Sequence, residues 1–86
     1  MVKEAVRVDI TLGLHARPVM KIINSLKDLN AKVIASNGNK EANLSSVMQG
    51  MLLAAPVGTI LNVEADGPDE IKAMEAVKAV LAEKDL

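Results

Sequence analysis

His15 is the only histidine in the chain, and Arg17 follows two residues later. A neutral imidazole carries a lone pair that can attack phosphorus, and a guanidinium presents a planar fork of donors to phosphate oxygens. Downstream, Val19, Ile22, Ile23 and Leu26 recur as the apolar stripe of an amphipathic helix. Pro18 is tolerated only in the first turn of such a helix, so the helix is predicted to begin beside His15. The unbonded amides of a helix start and its dipole favour an anion in front of it. Phosphoryl chemistry is therefore what these residues could do. A passive surface histidine beside a helix start fits the same residue types, and lone histidines are more often of that kind.

Other chemistries find little support. With one His and no Cys there is no thiolate metal site, disulfide or cysteine nucleophile, and the carboxylates lack ligand spacing, so no metal and no cofactor are expected. Neither Ser45 nor Ser46 sits in a G-x-S-x-G nucleophile elbow.

The elements that must position His15 follow from periodicity. Val6, Val8 and Ile10 alternate with Arg7, Asp9 and Thr11, which predicts a half-buried first strand. Val33 and Ala35 lie on one face of a second strand. Asn37-Gly38 signals a type I′ hairpin into a short third strand over about 39–43. Ser46 with Gln49 has the capping-box spacing ahead of an apolar helix holding Val47, Met48, Met51 and Leu52, closed by Pro56 and Gly58. Thr59, Leu61, Val63 and Ala65 make a fourth strand, and Asp66-Gly67-Pro68 turns it into a last helix. That helix is expected to bury Ile71, Met74, Val77 and Leu81, with Asp69 and Glu70 at its positive end. The order β-α-β-β-α-β-α predicts an α+β domain with helices on one face of a sheet.

At 86 residues the chain has room for one domain and one core, spanning 1–86. Its net charge of -1 and lack of Phe, Tyr and Trp argue against nucleic-acid binding, since neither a basic field nor a stacking platform is present. No stretch approaches the roughly 18 apolar residues of a membrane span. Charges at Lys3 and Glu4 break the apolar run that a signal peptide needs, so a cytoplasmic location is expected.

The run Gly13-Leu14-His15-Ala16-Arg17-Pro18 resembles the phosphorylation-site motif of the HPr family, the histidine phosphocarriers of the bacterial phosphoenolpyruvate-dependent phosphotransferase system. Asn43-Leu44-Ser45-Ser46-Val47-Met48 is similar to the family's second conserved segment, and length and element order agree over essentially the whole chain. The resemblance implies an open-faced β-sandwich: a four-stranded antiparallel sheet in the order 1-4-2-3 with three helices on one face. It also implies that His15 takes a phosphoryl group on Nδ1 from phosphorylated Enzyme I and passes it to IIA domains for sugar uptake. Arg17 would then stabilise the phosphate, and the amides of Ala16 and Arg17 would bind its oxygens. Such a protein is a monomeric carrier, acted on by enzymes and not itself an enzyme.

Ser46 reads as a helix cap. By resemblance it is also the place where Gram-positive members are phosphorylated by HPr kinase/phosphorylase, and a helix start accommodates such a phosphate. Ser45 and Gln49 depart from the Lys and Gly usual in those members, which weighs against that regulation. The stretch 64–70 resembles the nitrogen-related branch, whose members act in regulation. Met20, Val47, Met48, Met51 and Leu52 match the family's docking surface for Enzyme I and IIA domains, and Leu52 fits a core position equally well.

Overall fold

The computed structural model describes residues 1–86. Its elements are β1 (Val2–Arg7), α1 (Ala16–Leu26), β2 (Lys32–Asn37), β3 (Lys40–Asn43), α2 (Val47–Leu52), β4 (Ile60–Asp66) and α3 (Glu70–Leu81). The strands form one sheet in the order β1-β4-β2-β3, and every neighbouring pair is antiparallel. Along β4, Leu61, Val63 and Ala65 are buried while Ile60, Asn62 and Asp66 face solvent, so the helices cover one face only. α3 lies on β1, β4 and β2, α2 lies on β3, and α1 packs against both other helices. The interior is aliphatic: Ile10, Ile22, Leu44, Leu53, Leu61, Met74 and Leu81 are its largest fully buried side chains. This is the α+β open-faced sandwich expected.

The first strand starts earlier than predicted and leaves the ladder after Arg7. Its inward alternation does run through Val6, Val8 and Ile10, all buried, but it begins at Val2. Glu4 hides that start. Its carboxylate points to the helix side, where Lys78 of α3 holds it at 2.9 Å. Beyond Arg7, Val8 still exchanges bonds with Gly58 and Thr59, and Asp9 and Thr11 then donate to Leu81 and Lys84 at 2.8 and 2.9 Å. The loop leading to His15 is thereby tied to the chain that follows α3.

The hairpin turn is also displaced. Asn37 pairs with Lys40, so the two connecting residues are Gly38 and Asn39, and only Gly38 has positive φ (61°). That sign pattern belongs to a type II′ turn, not I′. Asn37 remains in β2 because its side-chain amide donates to the Leu53 carbonyl at 2.9 Å. α2 ends before Pro56 and Gly58: Leu53 caps it, and Ala54 turns the chain with φ of 49°. In α3 the buried stripe is Ala73, Met74, Val77, Val80 and Leu81, whereas Ile71 is exposed. Ile71 lies two residues before Ala73, which at about 100° per residue turns it to the opposite side of the helix from that stripe.

Candidate functional site

His15 is the N-cap of α1, with φ −110° and ψ −169°, and its side chain makes no capping bond. The ring is used elsewhere: Nε2 lies 3.1 Å from the main-chain oxygen of Leu86. That oxygen can only accept, so Nε2 carries the hydrogen, and in the neutral ring Nδ1 keeps the lone pair. Nδ1 has no bonding partner in the protein. The half-buried ring thus presents a free nucleophilic nitrogen at the mouth of a helix.

Local structure fixes this arrangement. Gly13 takes φ of 77°, and a Cβ there would come within 2.8 Å of the Ala55 oxygen and 3.0 Å of Pro56 Cα. Only glycine meets both demands. The same Ala55 oxygen accepts from Leu14 N–H at 2.8 Å, and Leu14 is buried, which pins the residue before His15. Pro18 is the third helical residue, where its missing N–H costs nothing, and it is buried. As the first two residues of α1, Ala16 and Arg17 have no carbonyl one turn behind them, so their N–H groups are open to an anion. Val19 N–H already bonds the His15 carbonyl at 3.2 Å. The Arg17 side chain is exposed and takes part in none of the ion pairs, which leaves its guanidinium available to the same anion.

Met20, Val47, Met48, Met51 and Leu52 are all exposed, so the core reading of Leu52 does not hold. They lie on two helices held close together. A Cβ at Gly50 of α2 would stand 2.7 Å from Cγ1 of Val19 on α1, and the sequence neighbours Met51 and Met20 flank that contact. The result is an apolar surface carried on the helix that His15 caps and on its neighbour.

Ser46 caps α2 as expected, its Oγ accepting from Gln49 N–H at 3.3 Å. The reciprocal half of the capping box is absent. Gln49 Oε1 instead accepts from Asn43 N–H at 2.8 Å, while Ser46 N–H is satisfied by the Asn43 carbonyl. Leu86 is the one participant at His15 that sequence reasoning missed. It meets the ring from 71 positions away, and no local pattern signals such a contact. Among the titratable side chains no group of three or more is placed to hold a metal ion.

The family model described as "PTS HPr component phosphorylation site" matches residues 2–83. The chain belongs to the HPr family. It is a phosphocarrier of the phosphotransferase system, as its relatives also indicate. The phosphocarrier protein HPr of Xylella fastidiosa is 38% identical over 77 residues, covering 90% of this chain and 86% of that one. The phosphocarrier protein NPr of Escherichia coli is 38% identical over 80 residues, covering 92% and 89%. The crystal structure of HPr from Bacillus anthracis superimposes with a TM-score of 0.86 at 29% identity, covering 92% of this chain and 94% of that one. No helix is long and apolar enough to cross a membrane.

Proposed function

We propose that residues 1–86 act as a single carrier domain in which His15 Nδ1 accepts a phosphoryl group from phosphorylated Enzyme I and passes it to a IIA domain. The observation that carries this reading is the Nε2 contact with the Leu86 oxygen at 3.1 Å, which leaves Nδ1 free where α1 begins. In the acceptor step the Nδ1–P bond forms as the bond from phosphorus to Enzyme I breaks in line with it. The Ala16 and Arg17 amides and the Arg17 guanidinium take the phosphoryl oxygens. Nε2 keeps its hydrogen throughout, so the phosphorylated ring is cationic, and the Leu86 oxygen faces that charge. In the donor step the ring then leaves phosphorus as a neutral imidazole with no proton to move. Met20, Val47, Met48, Met51 and Leu52 supply the docking surface, and methionine suits a surface that must fit several partners. Ser46 acts as the cap of α2, with no kinase needed for the carrier role.

The chain is as similar to an NPr as to an HPr, at 38% identity each, which supports a second reading of the destination. The same transfer would then serve nitrogen regulation in place of sugar uptake, with a different IIA acceptor.

Intact mass after incubation with phosphoenolpyruvate and Enzyme I tests the proposal. One phosphoryl increment is expected, removed by mild acid and absent from His15→Ala. An increment retained by that variant, or none in the native chain with an active Enzyme I, overturns it.

A further inference from the structure

Three of the five methionines stand on the surface beside His15, and the other two provide contrasts within the same chain. Met48 is 75% exposed, Met20 52% and Met51 47%, whereas Met74 of α3 is 2% exposed in the core. Met1 is 63% exposed but lies at the other end of the molecule. Its amino group is paired with Glu70 at the first residue of α3, while His15 contacts Leu86 beyond the last. The helix between them is about 18 Å long.

We propose that Met48, Met20 and Met51 form a reversible oxidation site through which peroxide switches phosphoryl transfer off; the consequence for transfer rests on the docking role assigned above. In the step a thioether lone pair attacks one peroxide oxygen and the O–O bond breaks. An S–O bond forms, and the departing oxygen leaves as water once protonated. Sulfur gives up two electrons and the peroxide takes them, so hydrogen peroxide is the only co-reactant. Sulfoxide converts a flexible apolar side chain into a polar one, and reductases specific for each sulfoxide epimer restore it.

The surface makes this consequential. Its remaining members, Val47 and Leu52, cannot be oxidised, and the surface offers no charged side chain among the five to pair with a new S=O dipole. A partner that covers the surface must strip water from that dipole, at a cost wherever its own apolar contact surface offers no donor. Oxidation here therefore acts on docking and leaves the His15 ring, its Leu86 contact and the aliphatic core unchanged.

The test treats the full chain with hydrogen peroxide, reads oxygen uptake at each methionine by peptide mass, and measures phosphoryl uptake from phosphorylated Enzyme I before and after. Met48 and the distant Met1 should gain oxygen first, Met20 and Met51 next, and Met74 last. Transfer should fall roughly tenfold, the scale set by burying one unpartnered polar group. Treatment with the two methionine sulfoxide reductases should restore it. A variant carrying Met20→Leu, Met48→Leu and Met51→Leu, compared only with itself untreated, should keep its rate even as Met1 is oxidised. A native chain that carries the three sulfoxides and transfers as fast as before overturns the switch. So does a variant that loses its rate in step with the native chain. An untreated chain that takes no phosphoryl group fails earlier, overturning the carrier function itself, and the two failures are thus told apart.

Discussion

The close approach of α1 and α2 can be tested by substituting Gly50 and Val19 singly and together. A Cβ at Gly50 would sit 2.7 Å from Val19 Cγ1 and 3.2 Å from Cγ2. Carbon atoms prefer about 3.5–4.0 Å, so Gly50→Ala must push the helices apart by most of an ångström. Overpacking of this kind costs about 1–3 kcal/mol, against which alanine gains about 1 kcal/mol in helix propensity. The single change should therefore destabilise by roughly 1 kcal/mol. Val19→Ala removes two buried carbons and leaves a void, costing about 2–3 kcal/mol. In the double variant the new Cβ fills the space those carbons vacate. The clash is gone and the propensity gain remains, so the double should be about 1 kcal/mol more stable than Val19→Ala alone. The coupling is then about 2 kcal/mol, well above the ~0.5 kcal/mol within which independent sites add. Urea unfolding followed by far-ultraviolet circular dichroism measures it, since a chain without aromatic residues offers no tryptophan signal. Additive single effects would refute the packing argument.

Three further outcomes are expected. Ala54→Gly should stabilise by about 0.5–1 kcal/mol, because relief of the φ of 49° outweighs the added freedom of the unfolded chain; a lower melting temperature would contradict this. Ser46→Ala should cost about 1 kcal/mol through loss of the α2 cap, with Ser46→Asp keeping most of it in thermal melts. The third concerns pH. The hydrogen bond to Glu70 holds the Met1 ammonium above its ordinary value of 8.0, and the same bond, aided by Gly67 N–H, holds the Glu70 carboxyl below the usual carboxylate range. The carboxylate's contribution is present above the ordinary value and lost as pH falls through the lowered one. The ammonium's contribution is present below 8.0 and lost as pH rises through the raised value. The ammonium is exposed and the carboxyl only half-buried, so water screens the pair and the effect is small. Glu70→Gln should flatten both limbs of melting temperature against pH, and an unchanged profile would show that the pair contributes nothing.

What could be read from the sequence depended on whether the deciding contact was local. His15 as the start of α1 was legible because Pro18 and the apolar stripe from Val19 to Leu26 both demand it. Sheet faces were legible wherever alternation was unbroken, as along β4. Glu4 concealed the start of β1 because its partner, Lys78, is 74 residues away. The turn after β2 slipped by one residue because a side-chain bond from Asn37 to Leu53 outweighed local dipeptide preference. Ile71 has the i, i+3 spacing to Met74 but lies on the far side of α3 from Ala73 and Val77, since one spacing does not say to which side the buried stripe extends. At the site, the position of His15, Ala16 and Arg17 where α1 begins was legible. The orientation of the His15 ring was not, since it depends on Leu86, which the segment after α3 brings to the ring.

The strand register also governs the order in which the protein can assemble. β2 and β3 close through Asn37 and Lys40, a hairpin of the kind that forms in roughly 1–10 μs. β1 finds its only partner in β4, with Val2 opposite Ala65. During synthesis the first strand is made long before that partner exists, and it stays unpaired until about three-quarters of the chain has emerged. Pairing strands so far apart in sequence places the fold between all-helical and all-β domains in folding rate. The loop that carries His15 follows directly from β1 and is tied to Leu81, Lys84 and Leu86, so the nucleophile is set in place only when both β4 and the segment after α3 have been delivered.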